Sequence, residues 1–356
     1  MEQVMLKFFR LQNMAFICLI LAGILLASPA FAQEKNYRVG YIEGGSYWLF
    51  SDSLQAVKDS LQARGWLEKI DFPGDAHYSP GWDRDELLEE EARELMQRDD
   101  LDLVLAAGTD ATRAILAANN HETPIVAMAV SDPVDSGFVK STQDSGVDNF
   151  TVRLDPERYP RMFDIFHQIV EFDRLGVIYP DTESGRQFTN LGAARRIAAE
   201  RGFELLEYDR ITTESVQDCL EGIRHLLDKG MDAFFIPSLL AFDWESSDVD
   251  KILSFLREQG IPTFARNGSR DVEAGALMGF STVDFSRRGN FLSQMIIDIL
   301  EGKQPRSLNM VDRGAPKISF NIQVANEIGF NPPFELLAAT DELYREISLP
   351  EDRLVE

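Results

Sequence analysis

The sequence has few cysteines, and no two of them could crosslink the folded chain. Among its 356 residues only Cys18 and Cys219 are cysteine. Cys18 lies in an apolar segment near the N-terminus that we expect to be removed. A chain with one remaining thiol forms no internal disulfide, even in a compartment that permits disulfides. A large hydrophobic core must therefore hold the fold together.

Basic residues are also scarce. The chain has 35 lysines and arginines against 59 aspartates and glutamates, which gives a formal net charge of −24. Such an excess of negative charge repels phosphate backbones and anionic membranes, and no basic stripe compensates for it. We therefore expect no nucleic acid partner, and we interpret the acidic residues as a solvated surface.

Motifs of catalysis and of cofactor binding are missing. The sequence has no HExxH, no GxSxG and no GxxxxGK[ST] motif, and its glycine pair, Gly44 and Gly45, lacks the GxGxxG spacing of dinucleotide sites. The histidines lack metal-ligand spacing; they are His77, His121, His167 and His225. We expect no metal and no cofactor, and a binding protein rather than an enzyme.

The N-terminus has the pattern of an export signal. Lys7 and Arg10 precede an apolar run over residues 14–26, which is short for a membrane span. Ala30 and Ala32 then form a small-x-small cleavage pattern. We interpret residues 1–32 as a cleaved signal peptide and expect a periplasmic protein. An uncleaved membrane anchor is the alternative.

The rest of the chain reads as two copies of one folding unit. RVGYIEGGS at residues 38–46 is matched by RLGVIYPDTESG at residues 174–185, and each precedes a helical pattern, ending in QARGW and AERGF. The apolar runs at residues 102–109 and 123–131 match those at 232–238 and 261–267. Buried parallel strands have such continuous apolar runs. The predicted fold class is α/β, with two Rossmann-like lobes whose parallel sheets are flanked by helices. Chance likeness between α/β segments is the alternative.

Helical periodicity indicates which side chains face the core, and it suggests how the lobes divide. Apolar residues recur at helical spacing in three segments, at Leu54, Val57 and Leu61, at Leu88, Ala92, Leu95 and Met96, and at Phe291, Met295, Ile296 and Leu300. We assign residues 33–149 and 268–304 to the N-terminal lobe. Residues 150–267 and 305–356 are assigned to the C-terminal lobe, with several hinge crossings between them.

Polar residues cluster where the predicted strands end. In open parallel sheets, ligands bind beyond the carboxyl ends of the strands, where helix N-termini present free N–H groups. The candidate ligand-binding residues are Ser46, Tyr47, Trp48, Thr109, Asp110, Ser131, Asp132, Thr182, Glu183, Ser184, Ser238, Asn267 and Asp284. For each hydroxyl or acid, helix capping is the alternative interpretation. The aromatic rings at residues 47, 48 and 50 could instead pack across the edge of a lobe.

One long segment resembles a known family. The run DLVLAAGTDATRAILAANNHETPIVAMAVSDPVDSGFV at residues 102–139 has a strand, a GT turn, an alanine-rich helix, a PIV strand and an S-DPV element in that order. It resembles the substrate-binding proteins of ABC transporters, in the group that includes tryptophan- and tyrosine-binding members. The likeness continues through DNFTV, RLGVIY, DAFFIPS, GIPTFA and GALMGFSTVDFSRRGN, and so spans most of the chain.

The resemblance implies a type I periplasmic-binding fold with hinge crossings and closure around a small solute. It also implies an ABC permease in the membrane as a transient partner. Two departures lie on the second-lobe wall. Residues 179–185 read YPDTESG, without the family's Asn-Ser pair, and Leu239 stands where many members have aspartate. The solute can therefore differ from the amino acids typical of the family.

These observations favour a monomeric periplasmic protein that captures an amino-acid-like or aromatic solute and delivers it to a permease. Thr109, Ser131 and nearby N–H groups would hold an anionic group, and Tyr47 or Trp48 would cover an apolar part. Other candidates would contact the solute from the second lobe or the hinge. A periplasmic sensor for a receptor kinase is an alternative function. An enzyme that uses Asp110 and Asp132 as acid and base is a third.

Overall fold

The computed structural model describes residues 36–82, 84–281, 285–314 and 317–354. The predicted signal peptide and Asp284 lie outside these residues. Within the described part of the chain, no helix combines the length and the apolar character that crossing a membrane requires.

The strands form two sheets. Those of the first sheet are β1 (Tyr37–Glu43), β2 (Ile70–Asp71), β3 (His77–Tyr78), β4 (Leu103–Ala107), β5 (Ile125–Met128) and β6 (Phe150–Val152). Those of the second sheet are β7 (Arg174–Ile178), β8 (Glu204–Tyr208), β9 (Ala233–Ile236), β10 (Thr263–Ala265), β11 (Met278–Phe280), β12 (Ile318–Asn321) and β13 (Glu342–Tyr344).

The helices lie between these strands. The α-helices are α1 (Trp48–Ala63), α2 (Asp85–Met96), α3 (Thr109–Ala117), α4 (Arg158–Val170), α5 (Glu183–Phe188), α6 (Leu191–Arg201), α7 (Val216–Asp228), α8 (Val249–Glu258), α9 (Ser269–Glu273), α10 (Phe285–Leu300), α11 (Ile322–Glu327) and α12 (Phe334–Ala339). Single 3₁₀ turns occur at Leu67–Lys69, Gly74–Ala76, Leu240–Phe242 and Pro305–Ser307.

The two sheets repeat one strand order, which confirms the predicted fold class. The first sheet runs β2-β1-β4-β5-β6 and the matching part of the second runs β8-β7-β9-β10-β11, all in parallel pairing. The first strand of each unit therefore lies inside its sheet: β1 lies between β2 and β4, with β3 also pairing with β1, and β7 lies between β8 and β9. Ligands bind at this kind of reversal in open α/β sheets. The second sheet continues into β12, which is antiparallel to β11 and was not predicted as antiparallel.

Most of the predicted core faces are buried. The predicted apolar residues of α1 and α2 are all buried. In α10, Met295 and Ile296 are buried as predicted, whereas Phe291 and Leu300 are only half-buried. This helix packs against α1, and a Cβ on Gly289 would lie 2.2 Å from the carbonyl oxygen of Ala56. Close contact between the two helix backbones therefore requires glycine there.

The strand pairing differs from the predicted division of the lobes. Phe150–Val152, placed in the C-terminal lobe, pairs with β5 in the first sheet. Conversely, β11 and α9, placed in the N-terminal lobe, belong with the second sheet. The chain returns to the first lobe with α10, and Met310 is still buried in the first lobe's core. Both mismatches arise because these strands are only three residues long, so the apolar pattern marks a strand but not its sheet.

Candidate functional site

The loops that follow corresponding strands of the two sheets meet. The loop after β5 contains Ser131, and the residue directly after β10 is Arg266. The Arg266 Nη2 atom donates a hydrogen bond of 2.7 Å to Ser131 Oγ. The polar edges of the two sheets therefore face one another, as the sequence predicts for a ligand cleft.

Three predicted residues form a ring of hydrogen bonds across this junction. Asn267 Nδ2 donates to the Tyr47 hydroxyl at 2.7 Å, and Ser238 Oγ donates to Asn267 Oδ1 at 2.7 Å. The Tyr47 hydroxyl lies 3.3 Å from Ser238 Oγ, which closes the ring. Burial raises the pKa of Tyr47, so the phenol is neutral and can both donate and accept. The ring joins the loop after β1 to the loops after β9 and β10.

A second set of contacts orients the loop after β5. The Ser131 backbone N–H donates to Thr109 Oγ1 at 3.2 Å, and both residues are buried. Arg266 Nε donates to Asn190 Oδ1 at 2.7 Å. The Arg266 guanidinium also lies over the Tyr159 ring, 5.3 Å from its centroid. Thr109, predicted to touch the solute, thus holds the Ser131 backbone in place.

Arg266 is a buried cation that lacks a negative partner. Its side chain is 7% exposed, and its hydrogen bonds go to the uncharged oxygens of Asn190, Asn267 and Ser131. Among the described residues, no carboxylate forms an ion pair with it. Burial of an unpaired charge is costly, so this guanidinium is ready to accept an anion.

A cavity of about 70 Å³ lies beside Arg266, between the lobes and next to the hinge crossings. Its lining includes residues from the loop after β5, from the crossing after β6, from α4 and from α10. Arginines outnumber acids in this lining; its charged members are Asp132, Arg153, Asp155, Arg158, Arg266 and Arg288. The cavity is therefore a positively charged region in a strongly acidic protein.

A separate group of contacts joins the lobes at the rim. Ser184 Oγ donates to Asp110 Oδ1 at 2.8 Å, and Arg113 pairs with Glu183 at 3.1 Å. Burial raises the pKa of Asp110, although the Ser184 hydrogen bond opposes this shift. Arg113 also donates to Gln187 Oε1 at 3.2 Å. Asp110, Glu183 and Ser184 thus connect one lobe to the other and do not line the cavity.

The other predicted residues have varied positions. Ser46 is exposed, and Trp48 is 6% exposed, packed against the Phe285 ring at 6.2 Å. Thr182 caps α5, because its hydroxyl accepts a hydrogen bond from the Gly185 N–H. Helix capping is the alternative interpretation given above for the hydroxyl residues. Asp132 lines the cavity and accepts a hydrogen bond from its own loop, and burial raises its pKa. Asp284 lies outside the described residues.

The aromatic residues after β1 mostly pack within the protein. Phe50 is 7% exposed and its ring lies 5.4 Å from that of Tyr47. Trp82 adds a third ring, 6.2 Å from Phe50. Packing at the edge of the lobe, the alternative interpretation, therefore describes Phe50 and Trp48. The Trp48 ring also lies under the Arg270 guanidinium of the second lobe, at 5.5 Å, and Tyr47 hydrogen-bonds to that lobe.

Sequence reasoning missed the arginines of the site. Arg266 follows the buried strand TFA directly, and Arg158 begins α4 immediately after the crossing between the lobes. A charged residue directly after a buried strand is the feature of the sequence that could have indicated Arg266 as a site residue. The candidate set emphasised hydroxyls and amides, so it contained Asn267 but not the arginine beside it.

These features together define a class of protein. Two lobes of repeated α/β topology meet at the carboxyl edges of their sheets, over a polar cavity, in the type I periplasmic-binding architecture. Residues 51–343 match the family described as ABC transporter substrate binding protein, so the chain belongs to that family.

Known relatives are moderately similar. A tyrosine-binding protein of Clostridioides difficile (strain R20291) is 27% identical over 207 residues, which cover 58% of this chain and 56% of that protein. The match therefore spans about half the length of this curated relative.

Solved structures share the fold. A conserved domain protein from Vibrio cholerae gives a TM-score of 0.72 at 21% identity, covering 87% of this chain and 100% of that one. A domain from Streptococcus pneumoniae in complex with L-Trp gives 0.72 at 18% identity, with the same coverage. A ligand-free, open substrate-binding protein from Clostridium difficile gives 0.61 at 22% identity, again over 87% of this chain and 100% of that one.

Proposed function

We propose that this chain is the periplasmic receptor of an ABC importer, which captures a small solute with an anionic group between its lobes and delivers it to a membrane permease. The observation that carries this proposal is Arg266, a buried guanidinium whose hydrogen bonds all go to uncharged oxygens. A carboxylate on the solute would supply the missing charge. Guanidinium and carboxylate groups form short, bidentate, charge-assisted hydrogen bonds.

The neighbouring groups suit the same role. Ser131 already accepts a hydrogen bond from Arg266, and its hydroxyl can donate to a bound oxygen. The ring of Tyr47, Ser238 and Asn267 closes the other side of the junction. Opening of the lobes would break these contacts and admit the solute, and closure would restore them. The closed form would then be the state that the permease recognises.

Two measurements test this proposal. Native mass spectrometry of freshly purified protein should reveal a co-purified small molecule that carries an acidic group. Substitution Arg266→Gln should weaken the binding of that molecule at least ten-fold in calorimetry, because the neutral amide keeps some hydrogen bonds but loses the charge. Arg93→Gln is the matched control, since Arg93 pairs with Glu89 on the surface of α2. Equal affinity of the Arg266→Gln protein and the control would contradict the proposed role.

Delivery to a permease needs a test of its own. Cells that lack the protein should take up the identified solute more slowly, and expression of the Arg266→Gln variant should not restore uptake. Normal uptake in the absence of the protein would remove the transport assignment while leaving the binding result in place.

A further inference from the structure

The cavity contains a second guanidinium without a paired carboxylate. Arg158, at the start of α4, lines the cavity and lies over the Phe280 ring, 5.6 Å from its centroid. Within the described ranges, its guanidinium forms neither an ion pair nor a hydrogen bond, and only its backbone N–H donates, to the Asp155 carbonyl oxygen at 3.1 Å. Burial is the main cause that lowers the pKa of Arg158, and the positive charges of Arg153 and Arg266 lower the pKa further.

Arg153 lines the same cavity, and unlike Arg158 it is paired with carboxylates. Its Nε atom lies 2.7 Å from Asp312 Oδ2, and its Nη2 atom lies 3.8 Å from Asp155 Oδ2. Asp155 also attracts Arg158 at longer range, without forming an ion pair with it. The chain therefore supplies carboxylates for Arg153, and leaves Arg158 and Arg266 without them.

The two acids of the described lining each have a partner within the protein. Asp155 forms an ion pair with Arg153, and Asp132 accepts a hydrogen bond of 3.2 Å from the Asp135 backbone N–H within its own loop. Because arginines outnumber these two acids in the described lining, the cavity suits an anionic solute better than a solute with a free ammonium group. A solute with a single negative charge would neutralise only one of the two guanidiniums.

We propose that the solute is a small dicarboxylate, one carboxylate of which binds Arg266 and Ser131 while the other binds Arg158. This proposal rests on the proposed function, because it places the solute in the same cavity. Two charge-assisted pairs at opposite sides of one molecule would fix its orientation. The volume of about 70 Å³ favours a short carbon chain over an indole or phenol side chain.

Calorimetry with solute-free protein tests the proposal. The probes are succinate, glutarate, butyrate, inorganic phosphate, L-tryptophan and L-tyrosine. Succinate or glutarate should bind at least ten-fold more tightly than butyrate and each of the other probes. Arg158→Gln should reduce dicarboxylate affinity at least ten-fold and reduce butyrate affinity by a clearly smaller factor. Arg158→Lys, which keeps the charge, should recover part of the dicarboxylate affinity, and circular dichroism checks that each variant is folded.

Each result has a distinct meaning. Equal binding of butyrate and succinate, or dicarboxylate affinity unchanged by Arg158→Gln, would overturn the dicarboxylate proposal and leave the role of Arg266 intact. Preferential binding of phosphate or of an aromatic amino acid would also overturn it. Loss of all binding in Arg266→Gln, together with selective loss of dicarboxylates in Arg158→Gln, would support both proposals. Unchanged binding in Arg266→Gln would count against the proposed function itself.

Discussion

Arg266 and Ser131 are 135 residues apart in the chain, and a hydrogen bond of 2.7 Å joins them. They follow β10 and β5, which occupy the same position in the two copies of the folding unit. Equivalent loops of two related sheets thus meet face to face. The meeting places a buried positive charge where the strand ends of both sheets converge, and the proposed capture of an anion depends on it.

The hydroxyl of Tyr47 should stabilise the closed form. Tyr47→Phe removes the acceptor of Asn267 Nδ2 and the partner of Ser238, and leaves the Asn267 amide without this bond. We expect the solute dissociation constant to rise about five-fold, which corresponds to about 1 kcal/mol for one net hydrogen bond. Calorimetry with the co-purified solute measures this dissociation constant. Tyr208→Phe, in the core of the second lobe, should leave the affinity unchanged, and equal effects of the two variants would contradict the assignment.

The ion pair at the rim should add a small, salt-dependent contribution to closure. Arg113 and Glu183 are 39% and 65% exposed, so their attraction is weakened by solvent. Arg113→Gln should raise the solute dissociation constant about two- to five-fold at low salt, and less at 0.5 M NaCl, because added ions screen the pair. The control Arg93→Gln removes a comparable pair within α2 and should have no effect. A larger effect at high salt would disagree with this role.

Asp271 should make the protein less stable as pH rises. It is 3% exposed, and burial raises its pKa to about 6; Asp243 adds to the shift, while the Trp244 N–H and Arg270 oppose it. The unfolded carboxyl titrates near pH 4, so between about pH 4 and 6 the folded state binds more protons. The free energy of unfolding should therefore fall through this range, by on the order of 3 kcal/mol for this group.

Asp271→Asn isolates this contribution. The amide oxygen can still accept the hydrogen bond from Trp244 Nε1, which is 2.8 Å long in the native protein. Urea unfolding at pH 4 and pH 6.5 should show the variant gaining stability relative to the native protein as pH rises. Carboxylates that do not interact with Asp271 contribute equally to both proteins and cancel in the difference. A difference that does not change with pH would show that Asp271 ionises normally.

Two features should require glycine at position 108: a backbone conformation with positive φ, and the close approach of the Phe50 ring. Gly108 has φ 88° and ψ 170°, and a Cβ there would lie 2.5 Å from Phe50 Cζ. Gly108→Ala should cost about 1–3 kcal/mol for the backbone alone, and more because of the contact. It should also weaken solute binding, since Thr109 follows directly. Gly65→Ala is the control, with φ 67° but open space around it, and urea unfolding should show a smaller loss. Equal losses would mean that the contact with Phe50 relaxes freely.

The sequence predicts local structure well because local structure depends on local patterns. The continuous apolar run of β4 and the helical spacing of Leu54, Val57 and Leu61 both indicate burial, and all of these residues are buried. Polar residues after strands indicate a cleft edge, and Tyr47, Ser131 and Asn267 lie there. Short strands such as β6 and β11 carry too few residues to indicate the sheet that they join.

The amino-acid sequence by itself determined the two copies of the α/β unit, their buried strands and the family to which the chain belongs. Tertiary structure alone decided which polar residues meet, because hydrogen bonds such as that of Tyr47 to Asn267 join residues 220 positions apart. It also decided which charges are neutralised. Arg153, Arg158 and Arg266 look alike in the sequence, yet only Arg153 receives paired carboxylates, since ion pairing depends on distances that folding sets.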